Sequence, residues 1–161
     1  MVAPPLAATS RYIPVSVRHW YWVPTIANLT APSRAELNAG TDLTGQIPQD
    51  GVAGFSVKSN LVDAGDMGSR FVSKISGLIQ ADDSTITFYM SSTSSDVRSL
   101  LTQDLAGFIV ILLEGDISGR KMDAYPVTVS SVSKENAGAN PATLTVTFAI
   151  TAVPQVNITV P

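Results

Sequence analysis

The sequence predicts a mainly β chain with one flanking α-helix and a short helical elbow, and three observations carry that reading. Residues 143–151, TLTVTFAIT, set Leu144, Val146, Phe148 and Ile150 against Thr143, Thr145, Thr147 and Thr151. That period of two is what a strand with one buried face requires. Residues 108–113, FIVILL, are continuously apolar, as in a strand covered on both sides. Only two stretches, 33–39 and 94–107, break the β pattern with helical signals.

Taken in order, residues 1–10 hold Pro4 and Pro5 among small residues and read as an extended N-terminal arm. Residues 11–23 are β-prone but punctuated by Pro14 and Pro24, which predicts an edge strand or an irregular wall. Its Trp20, Tyr21 and Trp22 are too closely spaced to share one face. Ser33-x-x-Glu36 is a capping box, with Pro32 before it and Gly40 after it. The elbow over 33–39 feeds a short strand at 41–47 with Gly45 as a bulge. Residues 48–68, broken by Pro48, Gly51, Gly54, Gly65 and Gly68, read as a long loop carrying one weak strand signal. Loops of that length inside a compact domain are usually functional.

Residues 69–81 and 85–90 predict a hairpin that turns at Asp82-Asp83-Ser84. In 94–107, Val97, Leu100, Leu101 and Leu105 recur at helical spacing. Ser94 or Ser95 would cap that helix, Asp96 suits its N-terminal end, and Gly107 stops it. Residues 108–117 form a buried strand, 114–121 a turn, and 123–133 a strand with Tyr125, Val127 and Val129 opposed to Thr128 and Ser130. Pro154 ends the strand at 143–151 and leaves 153–161 as a C-terminal arm.

Composition narrows the function. The 161 residues suit a single domain spanning 1–161. Charged residues make up 14% of the chain, below the ~25% of ordinary domains, so a Ser/Thr-rich surface suits burial between subunits. The net charge of −3 and the lack of a basic run speak against a tight grip on nucleic acid. The absence of cysteine excludes disulfides and thiolate metal sites. The N-terminal stretch lacks the charged and apolar regions of a cleaved leader, and the six-residue apolar run is far short of the ~20 that cross a bilayer. The sequons at 28–30 and 157–159 read as chance. His19 is the single histidine and has no nucleophile-elbow motif to serve. Asp82-Asp83 lacks the ligand spacing of a calcium loop, and 114–121 lacks phosphate-loop spacing. No carboxylate pair stands out for sugar hydrolysis. The expectation is no enzyme, with no catalytic, cofactor or metal residue.

The ordered set of pieces resembles a family. The elbow SRAELNAGTDLT, the glycine-containing loop with GFS at 54–56, SRFVSKISGLIQADDSTITFYM, SSDVRSLLTQDLAG, a buried strand and DAYPVTVSSVS together resemble a bacteriophage tail tube protein, the major tail subunit of a long-tailed phage, over roughly residues 9–152. The resemblance implies a sandwich- or barrel-type β-fold in hexameric rings that stack into a hollow tube delivering phage DNA. It implies a virion component assembled in the host cytoplasm, bound to copies of itself, to tape measure and to tail-end proteins, with no membrane contact. An extended loop and the arms would bridge subunits, and Phe55, Val57, Leu61, Val62 and Met67 are the apolar candidates in that loop. The hydroxyl faces would line the lumen, led by Thr143, Thr145 and Thr147 with Thr128 and Ser130. The alternatives are a β-sandwich module that binds a ligand through Trp20 and Trp22, and the tube subunit of a contractile tail or injection system.

Overall fold

The computed structural model describes residues 3, 6–135, 138 and 140–161. Its strands are β1 (His19–Val23), β2 (Thr41–Asp42), β3 (Val52–Ala53), β4 (Val57–Ala64), β5 (Ser73–Ala81), β6 (Ser84–Tyr89), β7 (Ala106–Leu112), β8 (Lys121–Glu135), β9 (Thr143–Ile150) and β10 (Gln155–Thr159). One short helix, α1 (Arg34–Asn38), lies between β1 and β2. The main sheet runs β2-β1-β7-β8-β9-β6-β3, and every pairing in it is antiparallel. Along one edge of the fifteen-residue β8, β9 and then β10 follow each other, interrupted around Pro154. Among the described residues, strands β4 and β5 pair only with each other and form a separate two-stranded ribbon.

The main sheet curls around its core. Trp20 on β1 meets Phe55, just past β3, edge-on at 5.5 Å, and Phe55 lies 6.0 Å from Phe148 on β9. Strands far apart in the hydrogen-bonded order therefore touch across the interior. Ile86, Phe88, Ile109, Val127, Val129, Leu144 and Val146 complete that interior. The ladder itself stays open, because residues 43–51 cross from β2 to β3 without pairing the two strands. The roll is thus a curved sheet and not a closed barrel.

A second apolar layer forms on the outside. Val23, Val110, Leu112, Met122 and Ala124 point outward from β1, β7 and β8, and Ile26, Leu37 of α1 and Val160 cover them. The continuous apolar run of β7 is explained by this double burial. Helix α1 is seated by the expected capping box: Ser33 Oγ accepts from Glu36 N at 3.3 Å, and Glu36 Oε2 accepts from Ser33 N at 2.7 Å. Arg34 reaches Asp116 in the turn after β7, and Tyr21 Oη donates to the same carboxylate at 3.0 Å. Burial together with that carboxylate pushes the Tyr21 phenol up to about 12.

Several sequence expectations change. The flanking α-helix over 94–107 is only a 3-10 turn at Val97–Ser99. Asp96 accepts from Ser91 N and Arg98 N, so local side-chain bonds hold the Ser-rich segment in turns. Asp104 N donates to Val129 O and Val129 N to Leu105 O, which draws the segment's second half into the sheet. Val97 and Leu101 still reach the core, so the apolar spacing marked burial and not helix. The hairpin expected between 69–81 and 85–90 does not form, because β5 pairs with β4 and β6 pairs with β9 and β3. Strand β1 is flanked by both β2 and β7 and is not an edge. The stretch 41–47 is two strand residues followed by a 3-10 turn containing Gly45. Most of the expected C-terminal arm is β10, and Val160, the residue after it, is buried in the outer layer. Both tryptophans are buried, Trp22 inside the roll and Trp20 with only a small part of its surface left at a cleft, so the two do not form a shared exposed aromatic face. Residues 1, 2, 4 and 5 of the expected N-terminal arm, and 136, 137 and 139 of the β8–β9 loop, lie outside the described residues.

Candidate assembly surface

The ribbon is exposed along almost its whole length. Nine of the seventeen large apolar residues that are exposed among the described residues lie between 57 and 79, too dense a concentration for chance scatter. They are Val57, Leu61, Val62, Met67, Phe71, Val72, Ile75, Leu78 and Ile79. A two-stranded ribbon standing alone is marginal in water, so apolar side chains on it have little to bury against within their own chain.

Both faces of the ribbon are apolar. Register and alternation put Val57, Leu61 and Ile79 on one face, beside the Asp63–Lys74 ion pair. Val62, Ile75 and Leu78 share the other face, with Val62 directly opposite Ile75. A bulge makes this possible: Ser59 pairs with Ile79 and Leu61 with Ser76, so Asn60 faces two residues, Gly77 and Leu78. A side chain at position 77 would lie 2.8 Å from Asn60 O, so the bulge needs glycine there. Without the bulge, Ile75 and Leu78 would sit on opposite faces.

The ribbon's root is clamped to the sheet. Gly54 and Phe55 both adopt positive φ, 82° and 54°, which turns the chain sharply out of β3. A Cβ at Gly54 would stand 2.2 Å from Asp83 O. Phe55 N donates to Ser84 Oγ at 2.9 Å and Asp82 N to Ser56 O at 3.0 Å, tying the two strands together where they leave the sheet. Lys58 and Ser56 hold the Asp82 carboxylate below its usual range. The aspartate pair read as a hairpin turn is thus the second half of this clamp.

Of the five loop candidates, Val57, Leu61, Val62 and Met67 are exposed on the ribbon, while Phe55 is not. Phe55 is 6% exposed and packs on Trp20, Tyr125 and Phe148. Its positive φ sends the side chain inward at the point where the backbone leaves. The weak strand signal inside the expected long loop is a full strand over Val57–Ala64. The sequence reading missed Phe71, Val72, Ile75, Leu78 and Ile79. Their signal was present in 69–81, where apolar residues fall on both alternating faces, a pattern that no single buried face explains.

The second feature is a hydroxyl surface on the outside of β6, β9 and β8. Thr85 pairs with Thr147 and Thr147 with Ser131; Thr87 pairs with Thr145 and Thr145 with Ser133; Tyr89 pairs with Thr143 and Thr143 with Glu135. Thr87 and Thr145 hydroxyls lie 3.1 Å apart. Thr128, opposite Ala149, continues the same face. Ser130 sits in a bulge, because pairing passes from Val129–Phe148 to Ser131–Thr147. Four of the five hydroxyl candidates therefore share one face, and Ser131, Ser133, Thr85 and Thr87 join them.

Residues 8–161 match the family model described as phage tail tube protein. Among solved structures, the chain is similar to a sheath/tube terminator of an extracellular contractile injection system (PVC) in the extended state. That likeness has a TM-score of 0.63 at 14% identity and covers 92% of this chain and 100% of the other. A chain of the anti-feeding prophage (AFP) baseplate matches with a TM-score of 0.56 at 10% identity, over 96% of each chain. A chain of the PVC sheath-tube complex, also in the extended state, matches with a TM-score of 0.56 at 15% identity, over 90% of this chain and 92% of the other. At these identities the likeness is one of fold. No curated protein sequence matches the chain.

Proposed function

This chain belongs to the phage tail tube protein family, whose members are structural proteins and not enzymes, and on that footing we propose that it forms hexameric rings that stack into a hollow tube for the delivery of phage DNA. The observation that carries the proposal is the ribbon with apolar side chains on both faces. One partner surface can cover only one face. A subunit lodged among several copies of itself supplies the second.

In this reading the ribbon bridges subunits, and the arm of residues 1–10 adds a further contact. Leu6 in that arm is exposed in the isolated chain. The hydroxyl rows of β6, β8 and β9 line the lumen, where a neutral, wet wall lets DNA slide. A basic wall would hold phosphates at every ring through counterion release. The finished tube is a virion component, assembled in the host cytoplasm and joined to tape measure and tail-end proteins. A tube inside a contractile sheath would use the same subunit surfaces, and the likeness to injection-system chains supports that alternative.

Electron microscopy of the concentrated purified chain tests the reading. Six-fold rings or tubes with a central channel are expected. Monomers at every concentration, with the ribbon still solvated, would reject it.

A further inference from the structure

Beside the ribbon's root lies a cleft of about 560 Å³, open to solvent, between residues 14–18 and residues 44–55. That is within the ~300–1,000 Å³ of ordinary ligand clefts. Trp20, Phe55, Ile111 and Tyr125 contribute apolar and aromatic surface to it. Arg18 and Asp123 contribute charge. The Arg18 Nε is buried without a hydrogen-bond partner among the described residues.

The chain also carries a shape that fits such a cleft. At the ribbon's far end, Met67 is fully exposed and Phe71 is 76% exposed. A methionine adapts to irregular apolar space and is attracted to aromatic rings. Asp66 precedes Met67 and Arg70 follows it, so the tip carries one charge of each sign, as the cleft does. The tip cannot fill its own cleft. The eight residues of β4 at ~3.3 Å each hold it ~26 Å from the root.

We propose that the Met67 tip of one copy fills the root cleft of the next, with Asp66 directed to Arg18 and Arg70 to Asp123. Each copy gives one tip and takes one tip. Such a heterologous contact propagates, closing into a ring or continuing as a stack. The inference rests on the tube reading and adds the site at which each ribbon ends.

The chain has no cysteine, so a crosslink can be placed cleanly. Met67→Cys is combined with Gln49→Cys, an exposed residue on the cleft wall. Tubes of the double variant, oxidised or treated with a short bis-maleimide, are expected to give a ladder of covalent multimers. Either single variant alone should give none. Tubes that form normally but yield no ladder would overturn the tip contact and leave the tube reading intact. Failure of the unmodified chain to form any assembly would overturn both. If only the double variant fails to assemble, benzoylphenylalanine at position 67 in tubes of the full chain reads the same contact. Photoproducts within 44–55 or 14–18 support the proposal, and products elsewhere reject it.

Discussion

The curled sheet and the ribbon are built from similar residues and meet opposite fates. On β9, every second residue is apolar, and Leu144, Val146 and Phe148 are all buried within the chain. On the ribbon, the apolar residues fall on both faces and remain in water. Strand propensity alone does not separate the two. The partition of apolar residues between the faces does: one apolar face is satisfied by folding, whereas two on an isolated ribbon call for other molecules. The sheet holds the buried core of the subunit, and under the proposed function the ribbon carries its capacity to associate.

The largest effect belongs to the centre of the roll. Phe148 touches Phe55 and Trp22, and so joins β9, β1 and the root of the ribbon. Phe148→Ala should cost about 3–5 kcal/mol, since a buried aromatic leaves a cavity that its neighbours only partly fill. That is a large share of the ~5–15 kcal/mol of a typical domain. Urea unfolding of the monomer measures it. A loss no greater than that of a ribbon substitution would break the division between the two regions.

The next effect is pH-dependent. Asp96 is buried and accepts from Ser91 N at 2.8 Å and from Arg98 Nε at 2.7 Å. The Arg98 guanidinium and then these backbone donors hold its carboxyl well below the usual range, against the opposing push of burial. A carboxyl depressed in the folded state contributes stability above its unfolded pKa of ~3.9, and that contribution is lost as pH falls toward the folded value. Asp96→Asn should therefore be less stable than the parent at pH 7, by about 1–3 kcal/mol for a buried charged hydrogen bond. The gap should narrow below about pH 4. A gap that is constant from pH 7 to pH 2 would show that Asp96 acts through packing and not through charge. Asp82 and Asp116 are depressed as well, so the difference between variants is the informative quantity.

The core strands were legible because their period is regular. In β9 the alternation is unbroken, and the capping box at Ser33 and Glu36 is a local rule that tertiary structure leaves intact. Bulges were not legible. The one at Ser130 slips the alternation of β8 by a residue, which transferred Ser131 and Ser133 to the hydroxyl face. The one at Gly77 placed Ile75 and Leu78 together. Pairing partners were not legible either, since a turn at Asp82-Asp83 fits a β5–β6 hairpin as well as a clamp. The segment 94–107 shows a different limit. Val97 and Leu101 are buried as their spacing required, but the bonds of Asp96 fixed a shape that the spacing alone did not determine.

A smaller effect on stability comes from the hydroxyl face. Thr145→Lys removes the contact with Thr87 and leaves the apolar row of β9 untouched. Cross-strand hydroxyl pairs contribute roughly 0.2–1 kcal/mol, so the monomer should lose no more than that. Tubes should still assemble. If this face lines the lumen, each ring gains a circle of positive charge, and DNA passage should slow or stop. Normal delivery through intact variant tubes would move the lumen to another surface.

The smallest effect on stability should accompany the clearest effect on assembly. Ile75 and Leu78 lie on one face of the ribbon and are 56% and 83% exposed. Changing both to serine removes little that the isolated chain buries, so the unfolding midpoint of the monomer should shift by no more than ~0.5 kcal/mol. Hydrogen exchange should report the same protected core strands. In an assembly, the same two side chains lose their apolar contact with a neighbour in every copy at once. Burying an aliphatic side chain is worth ~1.5–3 kcal/mol, so the pair weakens each contact by several kcal/mol. Since 1.4 kcal/mol is a tenfold change, the critical concentration should rise at least a hundredfold. Sedimentation across a concentration series measures it. A large fall in monomer stability would show that the ribbon belongs to the folding unit. An unchanged critical concentration would leave this face without a partner and restrict assembly to the face bearing Val57, Leu61 and Ile79.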